Sequence, residues 1–85
     1  MAEIIGCTVE TLGVLDEIKS ERWEQFKKWG KQEYPPNGWL SILGKEFGSV
    51  CRAVCENDPE RYREELVHVA AVATAMMEDF DQGGW

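Results

Sequence analysis

Two short runs of backbone-restricting residues cut this chain into three helix-length pieces. The first run is Gly30 to Gly38, which holds Pro35-Pro36-Asn37-Gly38. Prolines lack the amide hydrogen that a helix interior needs, and Asn-Gly is turn chemistry. The second run is Asn57-Asp58-Pro59. There Asp58 is placed to cap the following helix, and Pro59 takes its first position, where the missing N–H costs nothing.

The spacing predicts a first helix over about 9–29, with Thr8 as its cap. Leu12, Leu15, Ile18, Phe26 and Trp29 follow helical spacing. Lys19-Ser20-Glu21-Arg22 interrupts that stripe, and the break reads as either a solvated patch or the lining of a site. A second helix is expected over about 39–56, starting at Gly38 or Trp39, with Leu40, Leu43, Phe47, Val50 and Val54 as its packed seam. Gly44 and Gly48 cost that helix about 1 kcal/mol each relative to Ala, so they are expected to admit another backbone closely. A third helix is expected over about 59–80. It starts charged, then turns apolar nearly all round from Leu66 to Met77. A helix apolar on every side needs partners on every side, and three helices scarcely surround one of their own number. The expected architecture is therefore all-α, a single domain over 1–85 whose helical bundle is completed by dimerisation, with 81–85 as a frayed tail. The length agrees, because a domain of 85 residues buries only about two-thirds of the surface of its unfolded chain.

Charge narrows the partners. Sixteen acids against nine basic residues give a formal net charge of −7. No Lys/Arg run exceeds Lys27-Lys28. Direct nucleic-acid binding, which needs a basic face, is not expected. A metal-chelated anion or a basic protein surface remains open. Cys7, Cys51 and Cys55 are too few for a secreted disulfide scaffold, and they are expected as small buried apolar residues. The opening Met1-Ala2-Glu3-Ile4-Ile5 lacks a signal-peptide pattern. The longest mostly apolar stretch, Leu66 to Met77, is too short to span a bilayer. A cytoplasmic protein that does not enter the membrane is the expectation.

Candidate chemistry rests on carboxylates. There is no Gly-x-Ser-x-Gly, and the spacing Gly44-x-x-x-Gly48 is not followed by the Gly-Lys-Ser/Thr of a phosphate-binding loop. The second helix offers Glu46, and the third offers Glu64 and Glu65, with His68 three residues after Glu65 on the same face. Helical bundles hold metal ions on acids placed in this way. The alternative is that Glu64 and Glu65 favour the helix N-terminus and that His68, the only histidine, is a satisfied core residue.

Lys28-Trp29-Gly30, the Pro/Asn/Gly loop, Trp39-Leu40-Ser41-Ile42-Leu43-Gly44-Lys45-Glu46-Phe47-Gly48-Ser49-Val50 and Arg63-Glu64-Glu65-Leu66-Val67-His68-Val69-Ala70-Ala71 together resemble the small MazG-like proteins often found in phages and mobile elements. These belong to the all-α nucleoside triphosphate pyrophosphohydrolases. The resemblance covers residues 12–80. It implies a homodimer or higher oligomer that uses Mg²⁺ to cleave a (deoxy)nucleoside triphosphate between its α and β phosphates. It also implies a metal held by Glu-Glu-x-x-Glu on one helix and Glu-x-x-Asp on the next. Here the first motif falls on Lys45-Glu46-Phe47-Gly48-Ser49 and the second on Glu65-Leu66-Val67-His68, so three of the five acids are replaced.

Glu46, Glu65 and His68 are the expected catalytic and metal residues, with Glu64 as a fourth candidate. Lys45 and Ser49 are expected to meet substrate. Glu21, Arg22 and Gln25 are placed for sugar or phosphates, and Trp29 and Trp39 for stacking on a base. His68 suits Zn²⁺, Ni²⁺ or Cu²⁺ better than Mg²⁺. Lys45 sets a positive charge where the family sets a ligand. Two unit charges about 4 Å apart at an effective dielectric near 20 repel by about 4 kcal/mol, which a flexible lysine escapes by swinging away. It could instead neutralise Glu46 and Glu65 itself. Three readings follow: a nucleotide- or protein-binding domain with an impaired metal site, an active pyrophosphohydrolase, or an acidic helical protein that engages a basic host protein.

Overall fold

The computed structural model describes Glu3, Ile4 and residues 7–85, with side chains from Thr8 onward. The architecture is all-α: α1 is Val9–Trp29, α2 is Pro36–Cys55 and α3 is Pro59–Asp81. An antiparallel pair of two-residue strands, β1 (Glu3–Ile4) and β2 (Cys7–Thr8), precedes α1. Strands this short carry no alternation, so the sequence did not announce them.

Local chemistry sets the helix ends. The Thr8 hydroxyl accepts the Thr11 N–H at 3.1 Å, and the Asp58 carboxylate accepts the Arg61 N–H at 3.1 Å. Gly30, at φ 67°, takes a left-handed conformation open to glycine and ends α1. The second helix begins two to three residues earlier than expected, because Pro36 takes a first-turn position whose amide has no helical partner to lose. Residues 81–85 were expected to fray. Asp81 instead still belongs to α3, and the Gly84 N–H bonds the Asp79 carbonyl at 2.9 Å.

Both α1 and α2 pack on α3 and barely meet each other. Trp39, Val72 and Ala75 form the core cluster, with Ile42, Leu43 and Met76 against it. This splits the expected seam of α2. Leu43 and Val50 turn inward, whereas Leu40, Phe47 and Val54 are each 60% exposed or more. The α1 stripe is also more open than expected, since Leu15, Phe26 and Trp29 are about half exposed. Cys51 and Cys55, expected inside, are exposed free thiols; the Cys7 side chain lies outside the described residues. Gly44 and Gly48 have open space around them rather than an approaching backbone.

Asp79 fastens the loop between α1 and α2 to the core. Its buried carboxylate accepts the Trp39 indole N–H at 2.6 Å and the Tyr34 amide at 3.2 Å. The Tyr34 ring meets Trp39 edge-on at 5.0 Å. A Cβ on Gly84 would collide with the same carboxylate, so the glycine is required by this close approach. Among the described residues, no helix is long and apolar enough to cross a membrane.

Candidate functional site

His68 is the meeting point of the three helices. Its Nδ1 lies 3.4 Å from Glu65 Oε2 and 3.8 Å from Glu46 Oε2, while Nε2 lies 3.9 Å from Glu21 Oε2. The i, i+3 spacing puts Glu65 and His68 on one face of α3. The packing of α2 on α3 brings Glu46 to them, and the polar break of α1 delivers Glu21. Glu46, Glu65 and His68 each offer a ligand atom, and these atoms all lie within 4.8 Å of one another. The Glu65 side chain is only 9% exposed.

Glu21, Glu46 and His68 line a cleft of about 500 Å³ between α1 and α2, floored by α3, whereas Glu65 does not line it. Trp39 and Ile42 form part of its wall, and Lys28, Trp29, Tyr34 and Lys45 lie around it. Of the expected residues, Glu21, Gln25, Trp29, Trp39, Lys45, Glu46 and His68 line this cleft. The two tryptophans differ. Trp29 is 58% exposed, with Lys28 Nζ 5.1 Å from its ring centre, whereas Trp39 is 4% exposed and holds its N–H to Asp79. Trp29 therefore presents a ring to solvent, and Trp39 is mainly a core residue.

Arg22, Ser49 and Glu64 sit elsewhere. Arg22 donates to Gln25 at 2.9 Å and to Glu78 at 2.6 Å, tying α1 to α3 instead of lining the cleft. Gln25 is buried and donates to Glu21 at 3.4 Å, which restrains that carboxylate. The Ser49 hydroxyl turns back to the Lys45 carbonyl of its own helix at 3.4 Å. Glu64 lines a shallower groove with Glu17 and Arg63, which adjoins the cleft at Glu21, Glu24 and His68, and it does not complete the cluster. Lys45 is exposed, and among the described residues it makes no ion pair with Glu46 or Glu65. Its ammonium thus does not take the place of a metal between the two carboxylates.

In that shallow groove Arg63 grips Glu17 through two bonds of 2.9 and 2.6 Å. The hydrogen bonding, and then the attraction of the guanidinium, lowers the Glu17 pKa and raises that of Arg63. A carboxylate with a depressed folded pKa adds stability above its unfolded pKa and loses it as pH falls through the folded one. Glu17→Gln is expected to flatten the acidic limb of the stability–pH curve slightly and leave neutral behaviour almost unchanged, because the pair is exposed. Thermal unfolding of both proteins across the acidic range checks this.

The donor set fits Mg²⁺ poorly. That ion demands near-octahedral oxygen ligation, and the cluster supplies two carboxylates and an imidazole nitrogen with a lysine on the rim.

No protein-family model, curated protein or solved structure matches this chain. The site therefore stands on its own geometry. Sequence reasoning missed Asp79, Tyr34 and Lys28. Asp79 sits late in α3 among Met77, Glu78 and Phe80, and only the long-range approach of Trp39 and Tyr34 gives it a role.

Proposed function

We propose that this chain is a MazG-like helical domain that binds a nucleoside triphosphate in the α1/α2 cleft without hydrolysing it efficiently. The observation that carries the reading is the cleft itself. An exposed Trp29 ring, the cations of Lys28 and Lys45 and a cluster of anionic and imidazole ligands line one cavity of about 500 Å³, a size ordinary for small-molecule sites. The ring suits a base, and the lysines suit phosphate oxygens. Weak catalysis follows from the replaced acids. Lys45 and Ser49 supply no carboxylate, and Ser49 does not line the cleft.

Nucleotide titration followed by tryptophan fluorescence, paired with a pyrophosphate-release assay over dNTPs and NTPs, tests this. The expected result is saturable binding that weakens in Trp29→Ala and Lys45→Ala, with release near background. Sustained Mg²⁺-dependent release that disappears in Glu65→Ala would establish the active pyrophosphohydrolase instead. Absence of any nucleotide binding would leave the acidic surface and a basic protein partner.

The same reading includes a homodimer. Leu40, Phe47 and Val54 form an exposed row on α2, and Leu66, Ala70, Ala73, Met77 and Phe80 step along α3 by three and four residues. The large members of both rows are 40–63% exposed. Gly44 opens onto free space within the α2 row, which suits the close approach of a second backbone. The chain also spreads wide for its length: its radius of gyration is 14.3 Å, against about 12 Å for a compact monomer of this size. Sedimentation at micromolar concentration should give twice the 9.7 kDa chain mass; a 9.7 kDa species would reject the dimer.

A further inference from the structure

We infer that Glu46, Glu65 and Nδ1 of His68 form a binding site for a borderline divalent transition ion of the Zn²⁺ class, selective against Mg²⁺. The inference goes beyond nucleotide binding, since it requires no nucleotide in the cleft.

Three observations carry it. The first is the donor set. Two carboxylate oxygens and one imidazole nitrogen are a familiar set for Zn²⁺, whereas Mg²⁺ takes oxygen almost exclusively. The second is spacing. A tetrahedral ion with bonds of about 2.0–2.2 Å holds its ligand atoms about 3.3–3.6 Å apart. Nδ1 of His68 stands 3.4 Å from Glu65 and 3.8 Å from Glu46, close to that edge length. The third is Glu65. It is more than nine-tenths buried, and among the described residues its carboxylate accepts no hydrogen bond; the ring nitrogen of His68 stands 3.4 Å away and Glu46 offers an oxygen within 4.8 Å. A carboxylate this far buried loses much of its hydration, and an ion between it and the ring would replace what is lost.

The remaining groups fit as support. With Nδ1 on the ion, the His68 proton belongs on Nε2, which faces Glu21 Oε2 at 3.9 Å. Closing that gap by about 1 Å makes the carboxylate–histidine hydrogen bond that commonly fixes the tautomer of a ligating imidazole. Gln25 already restrains Glu21 from the other side. Glu46 and His68 both line the cleft, so the fourth position faces a cavity that admits water or an anion, as an open zinc site requires. Lys45 opposes this only weakly, because it is exposed and swings into solvent.

The chain has one histidine, so its imidazole nitrogens report the site without ambiguity. The probes are Zn²⁺, Co²⁺ and Mg²⁺ alone, added to the full chain with Cys7, Cys51 and Cys55 replaced by serine, which removes every thiol as a rival ligand. The expected result is a Zn²⁺-induced shift of the ¹⁵N resonances to the Nδ1-ligated, Nε2–H form and a visible Co²⁺ absorption displaced by Zn²⁺. Mg²⁺ should bind at least about 100-fold more weakly. Glu65→Gln and His68→Gln should each reduce Zn²⁺ affinity by about 100-fold or more, with circular dichroism confirming the helices. An unmoved histidine signal at saturating Zn²⁺, equal affinity for Mg²⁺, or Zn²⁺ binding that survives both substitutions would overturn the proposal. The histidine signal is read on the unsubstituted site, so a variant that fails to fold does not obscure the answer.

Discussion

Asp79→Ala is expected to lower the folding free energy by about 3 kcal/mol, since hydrogen bonds to a charged group contribute about 1.5–3 kcal/mol each. The substitution strips the acceptor from two donors at once, the Trp39 indole N–H at 2.6 Å and the Tyr34 amide at 3.2 Å. Trp39 is 4% exposed and belongs to the core cluster, so its N–H cannot turn to water without moving the core. A domain of this length is stable by only about 4–13 kcal/mol, and the loss corresponds to a fall in Tm of roughly 15 °C. Asp79→Asn keeps an acceptor oxygen and is expected to lose about half as much. Thermal unfolding by circular dichroism measures both. A fall of under about 3 °C in the alanine variant would show that the 30–35 loop is held by something other than this carboxylate.

The second large effect concerns the outer face. Phe47 is 60% exposed at the centre of the α2 row. Phe47→Glu should weaken self-association by about 100-fold or more, because an uncompensated charge would be buried in an apolar contact. The same change should leave the isolated fold intact, since the Phe47 side chain is not part of the core of its own chain. Sedimentation should then move from the dimer to 9.7 kDa while the helical signal persists. Glu24→Gln is the matched control, because Glu24 is exposed and lies at the cleft rather than on the proposed dimer face. A dimer undisturbed by Phe47→Glu would place the contact elsewhere.

These two residues mark how far the residues alone could be read. The helices and their caps were legible because proline, glycine and capping side chains act locally. Thr8, Asp58, Pro59 and Gly30 each perform the local role that their chemistry predicts. The pair Glu65 and His68 was legible for the same reason, three residues apart on one helix. Periodicity, by contrast, shows that a side is apolar and not what covers it. The row Leu40, Leu43, Phe47, Val50 and Val54 looked like one seam, yet Leu43 and Val50 turn in while Leu40, Phe47 and Val54 face out. Cys51 and Cys55, expected inside because free cysteine usually packs as a small apolar residue, are exposed.

The local chemistry of the chain therefore determined three helices, their ends and an acid–histidine pair on α3. Tertiary structure decided which carboxylates join that pair. Glu46 and Glu21 reach His68 only because α2 and α1 both pack on α3. It also decided that Ser49 turns away, that Arg22 braces α1 against α3, and that Asp79 becomes the anchor of a distant loop. Contacts across 40 or more residues depend on how helices cross, which no spacing within a single helix encodes.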